Sequence, residues 1–194
     1  MDFRTLLNAP GFVRLDGAMG TMLQRKGLPV GMAPELAGLE HPDWLLEIHR
    51  AYLAAGAQVA TANTFGASAL KLAGTGCTPE AVIAANVSLA RQAVGDRALV
   101  ALDIGPLGQL LEPTGTLRFD DAYDCFAQMV RAGAKAGADL VLLETMTDLY
   151  EVKAALLAVK ENSSLPVICT MTFEDNRRTF LGCDLPSMAL TLEG

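Results

Sequence analysis

The residues most able to do chemistry are polar side chains that follow short apolar runs. Asp16 follows the run that ends at Leu15 and precedes Gly17, Ala18 and Met19. A glycine-bearing turn that leads into a helix can point backbone N–H groups at an anion. The adjacent carboxylate favours a cation, so a site with both suits a zwitterion such as an amino acid. The alternative is an ordinary turn in which Asp16 caps the next helix.

Similar polar residues follow the next three apolar runs. Asn63 and Thr64 follow the second run, Asp103 follows the third, and Glu144 follows the fourth. A buried carboxylate after so apolar a run as residues 140–143 needs a partner such as an ammonium group. We therefore predict that Glu144 faces a ligand, with a helix cap or a local ion pair as the alternative. For the other three residues a capped turn stays open.

Structural roles are the better explanation for the remaining candidate residues. The loop of acids and arginines at residues 174–178 is typical of a solvated turn with local ion pairs. We interpret both histidines, His41 and His49, as structural. No Cys-x-x-Cys motif is present, which favours a reduced, cytoplasmic protein. The four cysteines are Cys77, Cys125, Cys169 and Cys183.

Alternating strands and helices are needed to position these side chains. Five short apolar runs begin near Phe12, Gln58, Ala98, Leu140 and Val167. Stretches with helical spacing separate them, and several open with a capping residue or close with a glycine. Short, nearly continuous apolar runs are typical of parallel strands that are covered on both faces. The order predicts an α/β fold with right-handed crossovers.

Two α/β architectures fit this order, an open doubly wound sheet and a (β/α)8 TIM-type barrel. No Gly-x-Gly-x-x-Gly follows the first run, and polar residues close every run, which favours the barrel. About five βα units are present where a barrel needs about eight. We therefore interpret residues 1–194 as the N-terminal portion of one barrel domain. Either the sequence is truncated, or a partner or self-association completes the open barrel edge.

Charge and composition exclude other classes of protein. The net charge is −7, so no basic face for nucleic acid is expected. No apolar run reaches the roughly 18 residues of a membrane span. The N-terminus lacks the basic and apolar segments of a signal peptide. A small molecule or another protein is the expected partner.

The ordered set of segments resembles the homocysteine S-methyltransferase family, most closely its cobalamin-dependent methionine synthase branch. The segments are Leu15-Asp16-Gly17-Ala18-Met19-Gly20-Thr21, Ala62-Asn63-Thr64-Phe65, Asp103-Ile104-Gly105-Pro106 and Glu144-Thr145. Any one of them is weak evidence, whereas their order and spacing are fairly specific. The resemblance covers nearly the whole chain and implies a methyltransferase with a (β/α)8 barrel.

The resemblance also implies roles for individual residues. Asp16 and Glu144 would hold the ammonium group of homocysteine. Backbone N–H groups around Gly17, Ala18 and Met19 would bind its carboxylate. Asn63 and Thr64 would line the mouth of the site.

Zinc and methylcobalamin are the cofactors that the resemblance implies. In the family, three cysteine thiolates at the sixth and eighth strands hold zinc, which activates the homocysteine thiol for attack on a methyl group. Those ligands are absent from this sequence, and neither Cys169 nor Cys183 matches one of them. Methylcobalamin is the candidate donor. Cobalamin- or folate-binding domains, or a corrinoid protein, are the implied partners.

Three alternatives stay open from the sequence. The first is a family member with another methyl donor, such as S-methylmethionine or betaine, or another thiol acceptor. The second is a non-catalytic half-barrel that needs a partner chain. The third is an unrelated barrel in which Asp16, Asp103 and Glu144 bind a hard cation directly.

Overall fold

The computed structural model describes residues 2–193 and contains a parallel sheet flanked by helices. Its strands are β1 (Val59–Thr61), β2 (Leu99–Ile104), β3 (Leu140–Met146) and β4 (Val167–Met171). They lie in the order β1-β2-β3-β4, and every neighbouring pair is parallel. Leu15 adds one parallel bridge to Val59 at the β1 edge. This order is the one expected when each strand is joined to the next by a helical crossover.

Helices connect the strands and cover the outer face of the sheet, while the first helix packs against the inner face. Local signals fix their ends: Thr78 accepts a hydrogen bond from the Ala81 N–H, and Gly137 ends a helix in the left-handed conformation. The helices are α1 (Phe3–Asn8), α2 (Gly20–Lys26), α3 (Ala37–Glu40), α4 (Pro42–Ala54), α5 (Pro79–Val94), α6 (Phe119–Ala136), α7 (Leu149–Asn162) and α8 (Leu185–Leu192), with short 3-10 turns at Pro34–Leu36 and Gly95–Arg97.

On the inner face of the sheet, the side chains change from apolar to polar toward the carboxyl ends of the strands. On β2, Leu99 and Ala101 pack inward with Phe3 of α1, while Val100 and Leu102 pack outward against the helices. Because side chains alternate along a strand, the next inward position is Asp103. On β3 the same alternation brings Glu144 inward after Leu140 and Leu142.

A β-bulge changes this alternation at the end of β3. Leu143 pairs with Cys169 and Met146 pairs with Met171, so Glu144 and Thr145 together occupy the space of one residue on β4. Thr145 has a φ of 61°, which is unusual for a β-branched residue. The bulge keeps Met146 buried among the outward-packed residues while Glu144 and Thr145 both reach the mouth of the sheet.

Several of the element boundaries expected from sequence are wrong. The run from Phe12 to Leu15 is not a strand but a single bridge at Leu15, and Phe12 is 92% exposed. An exposed apolar run gains too little burial to hold a strand of its own. The third and fourth predicted strands run past their predicted ends, so Asp103 lies inside β2 and Glu144 inside β3 rather than after them. The sequence signals also missed α1 and α3, which are short.

The β4 side of the sheet is much less buried than its centre. Every residue of β2 is buried, whereas no residue of β4 or α8 is fully buried. Leu185 and Leu190 of α8 are exposed apolar side chains. Within residues 2–193 the sheet therefore ends at β4 without closing, and self-association through this edge stays a prediction. None of the helices in that range combines the length and apolarity that crossing a membrane requires.

Candidate functional site

A cavity of about 480 Å³ opens at the carboxyl ends of the strands. Parallel strands end together at this edge, so side chains that are distant in sequence meet there. The structure brings six of the seven predicted site residues into the cavity lining: Asp16, Gly17, Ala18, Met19, Asn63 and Glu144. The seventh, Thr64, is not among the lining residues.

Asp16 is held as a hydrogen-bond acceptor beneath the cavity. Thr61 donates to its two oxygens, from the backbone N–H at 3.0 Å and from the hydroxyl at 2.5 Å. Burial raises the pKa of Asp16 to about 6, against the lowering effect of the Thr61 bonds. The carboxylate is therefore mostly ionised at pH 7. Asp16 does not cap α2, since the N-cap of that helix is Met19.

His49 of α4 lies behind Asp16. Its Nδ1 is 3.9 Å from an Asp16 carboxylate oxygen, and the two side chains are 0% and 1% exposed. Neither ring nitrogen has a hydrogen-bond partner within residues 2–193. Burial lowers the pKa of His49 to about 4, so the imidazole is neutral at pH 7 and offers Asp16 no positive charge.

The turn after Asp16 is pinned by Tyr52 of α4. The Tyr52 hydroxyl donates to the Ala18 carbonyl at 2.9 Å. A Cβ on Gly17 would lie 2.9 Å from the Tyr52 ring, so the close approach requires glycine there. The backbone N–H groups of residues 17–19 donate no hydrogen bond within residues 2–193. They remain available to an anion in the cavity.

A second acidic group lies across the cavity at the ends of β2 and β3. Asp103 is 7% exposed and its Oδ1 has no hydrogen-bond partner within residues 2–193. Burial raises the pKa of Asp103 well above its usual range, and the charges of Glu144, Asp16 and Glu35 raise it further. Burial also raises the pKa of Glu144. Glu144 does not cap α7, because Asp148 does so.

Thr64 supports the site from behind, which corrects its predicted place at the mouth. Its hydroxyl donates to the Asp103 carbonyl at 2.8 Å and accepts from the Asp103 N–H at 3.1 Å. The side chain is fully buried, and these bonds direct it toward the β2 backbone rather than the cavity. Thr64 therefore fixes the strand position from which Asp103 extends.

The loop before α3 closes another side of the cavity. The Asn63 amide donates to the Pro34 carbonyl at 2.7 Å, and the buried Glu35 carboxylate accepts from the Gly66 N–H at 2.6 Å. The Asn86 amide donates to the Glu35 carbonyl. These bonds hold Glu35 against the loop after β1, and both Asn63 and Glu35 line the cavity.

Sequence reasoning missed several residues of this site. Thr61 could have been found, since it alternates with Val59 on the inner face of β1. Glu35 and Phe65 also line the cavity, yet Glu35 comes from a loop with no strand-end signal. His49 agrees with its structural interpretation, since it is buried on α4 and is not among the lining residues. Its position beside Asp16 depends on the packing of α4. No local sequence pattern predicts such a contact.

The cysteines in the described part of the chain do not form a zinc site. Burial raises the pKa of Cys169 to about 11, so its thiol stays protonated, and it packs with the outward-facing core. The Cys183 thiol donates to the Asp184 carbonyl. Across residues 2–193 no three His, Cys, Asp or Glu side chains are grouped to hold a metal ion. The residues present therefore fit neither zinc nor a hard cation held directly by Asp16, Asp103 and Glu144.

Comparison with known proteins places this architecture. The family model described as homocysteine S-methyltransferase matches residues 13–194. Methionine synthase of Mycobacterium leprae is 29% identical over 92% of this chain, and homocysteine S-methyltransferase of Escherichia coli is 28% identical over 98%. The chain spans 16% of the length of the first protein and 68% of the second.

A solved structure gives the same result. The crystal structure of the homocysteine methyltransferase MmuM from Escherichia coli, in its metallated form, matches 98% of this chain with a TM-score of 0.89 and 26% identity. The match covers 73% of that protein. It confirms the predicted TIM-barrel type of fold. Since the family model covers all but the first twelve residues, the chain belongs to the homocysteine S-methyltransferase family.

Proposed function

We propose that this chain binds the homocysteine zwitterion as the substrate-binding portion of a homocysteine S-methyltransferase. The observation that carries the proposal is the composition of the cavity. It is lined by the carboxylates Asp16, Glu35, Asp103 and Glu144, and no Lys or Arg of residues 2–193 lines it. Buried negative charge without a protein cation favours a ligand that brings a positive charge.

The ammonium group would lie between Asp16 and Glu144. Asp16 is mostly ionised at neutral pH, and Glu144 is directed inward by the bulge of β3. An ammonium donates three hydrogen bonds and satisfies carboxylates from several sides. The carboxylate of the ligand would bind the unpaired backbone N–H groups of residues 17–19, on the opposite side of the turn that Tyr52 pins. The side chain of the amino acid then extends toward the open mouth.

Methyl transfer is the family reaction and is proposed for the whole protein. The transfer requires an activated thiol and a methyl donor, and the described residues offer no zinc ligand set. A zinc-activated thiolate, methylcobalamin as donor, and cobalamin- or folate-binding domains or a corrinoid protein as partners therefore stay predictions. Another donor or thiol acceptor within the family is equally compatible with this cavity. The cytoplasmic location also stays a prediction.

One observation favours a second candidate function. The edge strand β4 and helix α8 have no fully buried residue, and apolar side chains such as Leu190 are exposed there. An unpaired strand edge is a template for association. The alternative is a non-catalytic half-barrel that needs a partner chain, and the oligomeric state in solution distinguishes it.

Calorimetric titration with L-homocysteine under reducing conditions tests the leading proposal. Asp16→Asn and Glu144→Gln should each weaken binding by about 30-fold or more, since each removes a charged partner of a desolvated ammonium. Asp175→Asn, at an exposed acid, is the matched control and should bind as the unmodified chain does. Unchanged affinity in both cavity variants would show that the carboxylates do not hold the ammonium.

A further inference from the structure

Asp103 is an acid of the cavity lining to which the binding proposal gives no contact with the ligand. It extends inward from β2, lines the cavity, and is more than nine-tenths buried. Its Oδ1 has no hydrogen-bond partner within residues 2–193. Asp16 differs, because Thr61 donates to both of its oxygens. A buried ionised carboxylate without donors is costly, so Asp103 needs either a proton or a ligand.

The ionisable side chains that line the cavity around Asp103 are all acidic. Glu144 faces it from β3, Asp16 from the segment after Leu15, and Glu35 from the turn before α3. The neighbouring strand β1 contributes the uncharged Thr61, and His49 behind Asp16 is neutral at pH 7. No lysine or arginine of the described chain lines the cavity. The surroundings therefore favour the protonated form of Asp103 in the empty cavity.

Asp103 and Glu144 line the cavity from neighbouring strands, since Asp103 pairs with Leu142 and Glu144 lies two residues further along β3 on the same face. A hydrogen bond between the two carboxyl groups contributes to the raised pKa of Asp103. Two ionised carboxylates only accept hydrogen bonds, so the contact would be repulsive. One proton between them turns it into a donor and an acceptor, as in other carboxyl pairs that share a site. The empty cavity then contains one negative charge on the pair instead of two.

We propose that Asp103 is a positioning residue that shares one proton with Glu144 and that the pair gives up this proton when the ammonium group of the amino acid binds. The inference rests on the proposed function. In the empty cavity the shared proton holds the Glu144 carboxyl inward. On binding, the O–H bond of the pair breaks, the proton leaves to the buffer, and the ammonium keeps its three protons. An N–H of the ammonium replaces the shared proton as the donor.

The charge balance makes this exchange favourable. The pair changes from one negative charge to two, and the ligand brings one positive charge beside it. Coulomb attraction in a partly desolvated cavity exceeds that in water. Affinity for the amino acid should therefore rise about tenfold per pH unit while the pair is protonated and become constant once the pair is ionised.

Calorimetry in phosphate and in Tris, whose ionisation enthalpies differ, counts the protons released. L-methionine is the main probe, because it has no thiol proton to lose, and L-homocysteine is the second. EDTA excludes metal-bound thiolate as a source of protons. We expect the unmodified chain to release protons on binding, up to one per ligand over the pH range where the pair carries its shared proton. The homocysteine analogue without its amino group, 4-sulfanylbutanoate, should release none.

Asp103→Asn separates proton exchange from structure. The asparagine amide can donate to Glu144 but cannot lose a proton, so release should fall to near zero, and affinity should no longer change with pH over the range where the unmodified chain releases protons. Asp175→Asn should release the same number as the unmodified chain, and thermal unfolding verifies that each variant is folded. Release that persists in Asp103→Asn, or is absent from the unmodified chain while the ligand binds, would overturn the inference and leave the binding proposal intact. No binding of either amino acid would overturn both.

Discussion

The two sides of the cavity hold the same type of residue in opposite ways. On the Asp16 side, formed by Asp16, Thr61 and His49, the carboxylate receives two hydrogen bonds and has a pKa of about 6. On the Asp103 side, formed by Asp103 and Glu144, one oxygen has no donor within residues 2–193 and the pKa is raised further from its usual range. The difference lies in the hydrogen-bond donors that Thr61 gives Asp16 and in the acidic neighbours that surround the more deeply buried Asp103.

This contrast shows how one cavity can contain a charged acceptor and a proton-carrying acid at the same pH. Two carboxyl groups whose environments separate their pKa values perform different tasks. Thr61 lies at the end of a strand beside Asp16, whereas the hydroxyl of Thr64 bonds the backbone of Asp103 and not its side chain. The placement of the two threonine hydroxyls therefore contributes to the difference between the pKa values of Asp16 and Asp103.

The largest effect should appear in the pH dependence of stability on the Asp16 side. The pKa of Asp16 is raised from 3.8 to about 6, so its ionisation costs stability as the pH rises from about 4 to 6. The pKa of His49 is lowered from 6.5 to about 4, so stability is lost as the pH falls from about 6.5 to 4. Each contribution amounts to about 3 kcal/mol, at about 1.4 kcal/mol per pKa unit.

Urea unfolding from pH 4 to 7 separates these opposite slopes. For each variant the quantity compared is its unfolding free energy minus that of the unmodified chain. This difference should increase with rising pH for Asp16→Asn and decrease with rising pH for His49→Leu. Only the change with pH is compared, so a constant packing cost of either substitution cancels. The raised pKa of Glu151 cancels in the same way, since Glu151 is present in every variant. Two differences that do not vary with pH would contradict the assigned titrations.

A smaller effect should follow from making the Asp16 side resemble the Asp103 side. Thr61→Val removes the hydroxyl that donates to Asp16 and keeps the side-chain shape and the backbone N–H. A hydrogen bond to a charged group contributes about 1.5–3 kcal/mol, so L-homocysteine affinity at pH 7 should fall by about tenfold or more. The titration midpoint of Asp16, followed by NMR, should rise.

Thr61→Ser is the matched control for this prediction. It restores the donor hydroxyl and should bind within about threefold of the unmodified chain. Equal loss of affinity in the valine and serine variants would indicate that the methyl group, and not the hydrogen bond, matters at residue 61.

The smallest effect should come from the turn that we propose to bind the ligand carboxylate. Tyr52→Phe removes the hydroxyl bonded to the Ala18 carbonyl but keeps the ring against Gly17. One such hydrogen bond contributes about 0.5–1.5 kcal/mol, so L-methionine affinity should fall about threefold. Proton release should not change, since Asp103 and Glu144 lie across the cavity. Tyr150→Phe, at an exposed tyrosine, is the control and should change neither affinity nor proton release. Reduced proton release in Tyr52→Phe would contradict the independence of the two sides of the cavity.

Local signals in the sequence were sufficient for most of the fold. Thr78 and Pro79 mark the start of α5, and Gly137 marks the end of α6, because capping depends on a few adjacent residues. The prediction of the first strand was wrong because strand formation does not depend on adjacent residues alone. Its apolar run from Phe12 to Leu15 satisfies the pattern, but pairing with Val59 involves only Leu15. Whether an apolar run becomes a strand depends on a neighbour that the run itself does not encode.

The candidate site was predictable where it follows strand ends. Asp16, Asn63 and Glu144 were identified because polar residues after apolar runs meet at one edge of a parallel sheet, and residues 17–19 were identified from the turn that follows Asp16 and from the family resemblance. Their hydrogen-bond donors were not, since the pairing of Asp16 with Thr61 and the burial of His49 beside it depend on tertiary packing. Sequence therefore indicates which acids share the cavity, while the fold decides which of them is charged.

The bulge in β3 ties the direction of Glu144 to a distant part of the molecule. The Thr145 N–H donates to the hydroxyl of Thr170, at 3.2 Å, so the extra residue is fastened to β4. β4 is also the strand with the least burial in the sheet. A displacement of β4 along β3 would therefore rotate Glu144 in the cavity. The register of β4 on β3 therefore sets the direction in which Glu144 faces the proposed ammonium site.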